Sequence, residues 1–160
     1  MLFSLEAVSQ QALINAGRYF MDDRVREAIK NAMKKETFAQ ALKMKLVELE
    51  DGHSVVKMIY TPENMNNIHN GAHGGALFGL MDEAFEAACH TKGTIAVALN
   101  MNVTFVASPK PGSKLRAEAN QISDTRETAC FAIKITDPDG KIIATSQALA
   151  YKTGKPMPFL

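Results

Sequence analysis

The chain has 160 residues, 46% hydrophobic and 22% charged, with a formal net charge of +1 at neutral pH. These values fit one globular domain with one sizeable core, and they give no reason to expect nucleic acid or an anionic membrane surface as a bulk partner. No run of about 18 apolar residues is present to span a membrane, and the opening MLFSLEAVSQQALINAG lacks the basic start of a signal peptide, so a cytoplasmic protein is expected.

Residues 4–35 keep a helical spacing of apolar side chains, first Val8, Ala12 and Leu13, then Val25, Ile29 and Met33. Gly17 and the pair Asp22-Asp23 are expected to split this stretch, with the acids near the start of the second helix. An amphipathic extension packed on the body or on a partner subunit explains it better than a DNA-reading helix. From Lys43 the period changes. KMKLVELEDGHSVVKMIYTP reads as two strands joined at Asp51-Gly52, a strong hairpin signal. Residues 63–72 form a polar loop rich in Asn, and a helix follows from about Gly74 to His90.

After that helix, Thr94 to Val106 alternates, with Ile95, Val97, Leu99, Met101, Val103 and Phe105 expected on one face. SPKPG is a turn, Ser113–Ile122 and Thr128–Ile135 are strands, and DPDG at 137–140 is another turn. Lys141–Lys152 is the last strand. Strands joined by short turns pair antiparallel, and the long helix must bury one face. An α+β domain with one antiparallel sheet curled around a central helix satisfies both demands. Its open edges favour pairing with a second copy. Cys89 and Cys130 lack a CxxC partner, so neither zinc nor a redox pair is expected, and both are read as buried, reduced thiols.

On a helical wheel, Leu77, Leu80, Met81, Ala84, Phe85 and Ala88 form an apolar arc. Gly75, Gly79, Asp82 and Glu86 line the opposite stripe, with Asp82 at its edge beside Phe78 and Cys89. Partial burial there would raise the Asp82 pKa and make it a better base at neutral pH. Glu83 and Glu86 are expected to face solvent, and His90 to interact with the helix C-terminus. The first amides of a helix have no internal partner and carry the positive dipole end. Gly74 and Gly75 would leave those donors uncovered for a carbonyl oxygen gaining charge, with His73 at the flank. The local pattern alone still leaves open a permissive Gly-Gly turn, a structural His73, turn residues at Asn66 and Asn67, and a solvated Asp82.

The pattern HGGALFGLMDEAF resembles the hotdog-fold acyl-CoA thioesterases, in particular the PaaI-type subgroup named for phenylacetic acid degradation. The resemblance runs from about Phe38 to Gly154. It includes the NG-x-HGG loop at Asn70–Gly75, the acid nine residues after His73, FVASPKPGSKL, and DPDGKIIATSQALAY. It implies a hotdog domain over 38–160 behind an N-terminal helical extension over 1–37. A homodimer is implied, often a dimer of dimers, hydrolysing acyl-CoA to free acid and CoA. By position, Asp82 is then the general base or nucleophile, and the Gly74 amide polarises the thioester carbonyl. His73 supports that geometry, and Asn67 helps place the thioester or water from the other subunit. One departure concerns the water: where some relatives carry Ser or Thr, this chain has Ala98, leaving Asn100 or a bound water to substitute.

Thioester chemistry needs no metal or organic cofactor here, because a thiolate leaves readily. Gly75, Phe78 and Asn100 are expected to contact substrate, with Leu77, Met81, Met101 and Phe105 supplying further apolar surface. Lys110, Lys114, Arg116 and Arg126 are candidates for the CoA phosphates. A non-catalytic acyl-CoA-binding module is the alternative reading, and a hotdog hydratase or dehydratase a third.

Overall fold

The computed structural model describes residues 21–160, so the helical piece expected ahead of Gly17 lies outside the described residues. Helix α1 (Asp23–Met33) starts where the acids predict: the Asp22 carboxylate caps it by accepting from the Arg24 N–H at 2.8 Å. Its Val25 and Ile29 are buried with Leu49, Ala87 and Met157. A short helix not expected from the sequence, α2 (Thr37–Ala41), follows it. Strands β1 (Lys45–Glu50) and β2 (His53–Ile59) form the expected hairpin, and Gly52 at its turn has φ +65°. Glycine takes that conformation without strain. Within the expected polar loop lies a single helical turn, α3 (Pro62–Met65).

Helix α4 (Gly74–Cys89) precedes β3 (Thr94–Phe105), β4 (Lys114–Asp124), β5 (Thr128–Thr136) and β6 (Ile142–Pro156). The six strands form one antiparallel sheet in the order β1-β2-β4-β5-β6-β3. Leu80, Met81, Ala84 and Phe85 of α4 are buried against Val56, Leu115, Phe131 and Ala148 of the sheet. Each large apolar side chain so buried contributes about 1.5–3 kcal/mol. The rings of Phe85 and Phe131 meet edge-on at 5.3 Å. Ser54 donates its hydroxyl to the Ala84 carbonyl and ties β2 to the middle of α4. This is the hotdog arrangement: a sheet wrapped around one helix.

Two expectations change. Strand β3 does not pair with β4 across the SPKPG segment; it crosses to the far edge and pairs with β6. Pro109 and Pro111 carry no N–H, so the connection cannot extend a hairpin ladder. The clean alternation along β3 also fails. A register shift between Ala98 and Asn100 breaks it, so Met101 and Val103 pack on the core while Val97 and Leu99 stay exposed. Among the described residues no helix is long and apolar enough to cross a membrane.

Candidate active site

His73 is the N-cap of α4, with extended backbone (φ −70°, ψ 130°). Its Nδ1 accepts from the Gly75 N–H at 2.9 Å, so the imidazole carries its proton on Nε2. The Ala76 and Leu77 amides turn back to the His73 carbonyl. The Gly74 N–H has no acceptor among the described residues. Of the two amides expected to be open, the structure therefore leaves one: His73 takes the Gly75 donor and isolates that of Gly74. A Cβ on Gly75 would sit 2.9 Å from Nδ1 and disturb this cap. The Phe105 ring lies over Gly74, 3.1 Å from where a Cβ would be.

The loop before the helix is held by Asn67. Its Oδ1 accepts from the His69 and Gly71 amides at 2.9 and 3.1 Å, and its Nδ2 donates to the Ala72 carbonyl at 3.3 Å. One N–H of the carboxamide remains for other use. Asn66 is engaged separately, accepting from the Tyr60 hydroxyl. A cleft of about 510 Å³ opens here, lined among others by Asn67, Gly71, Gly74, Leu77, Phe105 and Ser108.

Asp82 does not line that cleft. It is half-buried and makes no hydrogen bond or ion pair among the described residues, and burial holds its pKa above the ordinary carboxylate value. Gly74 and Asp82 are eight residues apart on one helix, which at 1.5 Å per residue is about 12 Å along the axis. A base and an oxyanion donor must each lie about 3 Å from the atoms they serve. Within one chain the two groups cannot both touch the same thioester carbonyl.

Residues 69–144 match the thioesterase superfamily. The acyl-coenzyme A thioesterase PaaI of Escherichia coli is 31% identical over 116 residues, covering 72% of this chain and 82% of that protein. The chain belongs to the thioesterase superfamily. Its structure overlays that of E. coli PaaI with a TM-score of 0.80 at 27% identity, over 85% of this chain and 98% of that one. Human acyl-coenzyme A thioesterase 13 is 29% identical, over 78% of this chain and 91% of that protein. A Streptococcus mutans protein solved bound to acetyl CoA gives a TM-score of 0.67 at 25% identity, over 71% of this chain and 91% of that one.

One feature of this PaaI-type thioesterase runs against the sequence reading. Glu83 is not solvent-facing; it is 3% exposed. Glu36 occupies the N-cap position of α2 without capping it, and its carboxylate meets those of Glu83 and Glu86 instead, all within 4.8 Å of one another. Among the described residues this is the one group of three or more acids, histidines or cysteines close enough to share a cation, and none of the three lines the Gly74 cleft. Docking of α1 and α2 on α4, invisible to a helical wheel, causes the burial.

Burial and the neighbouring carboxylates push Glu83 up to about 8 and Glu86 up to about 7. The folded thioesterase therefore holds protons that the unfolded chain releases near the ordinary Glu value, so stability falls as pH rises from about 4.5 towards 8. Glu83→Gln is expected to stabilise the fold by about 2 kcal/mol at pH 8 and to change little at pH 4. Urea denaturation at both pH values checks this.

The candidate cations separate. Lys110 is exposed on the segment joining β3 to β4, at the Gly74 end of the sheet. Arg126 is exposed on the β4–β5 turn, at the opposite end. Arg116 is committed to Glu118 at 2.8 Å and to Glu48 at 3.6 Å, and so is not free for a phosphate. Asn100 and Ala98 are exposed on edge strand β3. Cys89 and Cys130 form no disulfide; Cys130 is half-buried, and burial pushes the Cys89 thiol up to about 12, which removes it as a nucleophile at neutral pH.

Proposed function

We propose that this thioesterase hydrolyses acyl-CoA thioesters in a site completed by two copies of the chain. One observation carries the reading: the Gly74 amide and the Asp82 carboxylate, both without partners among the described residues, lie on one helix about 12 Å apart along its axis, too far to touch the same carbonyl. Strand β3 offers the second copy a place. It is a twelve-residue edge strand with Val97 and Leu99 46% and 58% exposed, an open ladder that pairs readily with another strand. Helix α4 runs antiparallel to β3, its start beside Phe105 and its end beside Ala96. Pairing β3 antiparallel with its twofold mate sets the two helices side by side in opposite directions. Gly74 of one protomer then approaches Asp82 of the partner subunit.

In that arrangement the Gly74 N–H, at the positive end of the helix dipole, binds the thioester oxygen. The Asp82 carboxylate takes a proton from water, whose hydroxyl adds to the carbonyl carbon. The tetrahedral intermediate collapses with cleavage of the C–S bond, and the thiolate leaves and is protonated. Asn67, with one N–H to spare, orients the thioester or the water. The same twofold brings the Lys110 end of one protomer towards the Arg126 end of the other, as a CoA chain crossing the seam requires. The PaaI and thioesterase 13 relatives, and the acetyl-CoA-bound neighbour, support this substrate class.

Release of free thiol from acyl-CoA esters by the purified protein tests the reaction. Leu99→Lys places a charge on the edge strand and is expected to give a folded monomer with turnover reduced at least a hundredfold. Sedimentation and the thiol assay together read it, and an active monomer would sink the two-copy site.

A further inference from the structure

Gly79 lies in the interior of α4, where glycine is less favourable than alanine. The structure shows what its missing side chain admits. The tip of the Phe38 ring, from α2, lies 2.7 Å from the position a Gly79 Cβ would occupy, so the two cannot coexist. A ring admitted only to fill the core would be buried. Phe38 remains 50% exposed.

Gly79 and Asp82 are three residues apart on the helix surface and hence neighbours. Four residues before Asp82 stands Phe78, itself 39% exposed. The half-buried carboxylate therefore has a half-exposed aromatic ring on each flank, with Gly75, also lacking a side chain, on the same stripe. Two exposed aromatic rings bordering a candidate base suit a flat or slender apolar group.

Resting on the function proposed above, we propose that Phe38 is a specificity-determining residue: held against α4 by Gly79, its ring forms one wall of the acyl site opposite Phe78 and selects an aryl or bulky apolar acyl group over acetyl. Phe38 touches the acyl group, not the reacting atoms.

The test compares thiol release from phenylacetyl-CoA and acetyl-CoA. In Phe38→Ala, kcat/KM for phenylacetyl-CoA is expected to fall about tenfold, through KM, while that for acetyl-CoA stays within twofold. Gly79→Ala, which displaces the ring without removing it, should reproduce the same loss of selectivity. Phe38→Leu, which keeps apolar bulk for packing, should lie between and serves if the alanine variant does not fold. Equal losses for both esters, or an unchanged ratio in folded variants, overturn the assignment alone. Absence of thiol release by the wild type from either ester overturns the hydrolase reading and this wall with it.

Discussion

Asp82→Ala is expected to abolish thiol release, lowering kcat by about 10³-fold or more, while leaving the fold intact. The magnitude follows from the role proposed for this carboxylate, since a positioned general base contributes about 10²–10⁴-fold. The intact fold follows from the surroundings of the carboxylate. Asp82 makes no hydrogen bond or ion pair among the described residues, so its removal strands no partner. Its charge also raises the pKa of Glu83, Glu86 and Cys89, so neutralising it relieves like-charge repulsion along α4. Asp82→Asn should therefore unfold at a temperature equal to or slightly above that of the wild type while being equally inactive. Loss of turnover without loss of stability separates a working carboxylate from a structural one. In the wild type, kcat/KM should rise with pH through the Asp82 titration, because only the ionised form accepts a proton. Turnover retained in a folded Asp82 variant would overturn the assignment.

Helix α4 was legible because its determinants are local. The apolar arc from Leu77 to Ala88, the His73 cap and the following glycines all act within a few residues. The Asp51-Gly52 hairpin was legible for the same reason. Strand order was not, because β3 reaches the far edge through a crossover that no short-range pattern encodes. One residue of register shift at Ala98–Asn100 then reversed the expected faces of Val97 and Leu99. Glu83 was misplaced by a long-range cause. It meets Glu36, and Gly79 on the neighbouring stripe meets Phe38, both from the α1–α2 segment far earlier in sequence. Long-range docking decided which part of the helix surface is dry. The wheel did place Asp82 at the boundary, and its half-burial agrees.

Replacing Gly74 by Pro separates the amide from everything else glycine supplies there. Proline is favoured at the first position of a helix, where its missing N–H has no intrahelical role. The preceding residue, His73, already has the ψ of 130° that a following proline demands. The variant should fold, and turnover should drop about 10²–10³-fold, the usual effect of deleting one oxyanion donor. Gly74→Ala is the control: it keeps the N–H and crowds only the far edge of the Phe105 ring, so it should keep most activity. The two inactive variants then report on each other. In a site spanning two protomers, a dimer of one Gly74→Pro chain and one Asp82→Ala chain holds one site with both groups intact and one with neither. Equal mixing after subunit exchange makes half the dimers mixed, each with one working site of two, so about a quarter of wild-type activity should return. If both groups served a substrate from the same helix, every site in the mixture would lack one of them and no activity would return. The roughly 12 Å of helix between Gly74 and Asp82 is the reason to expect the first outcome.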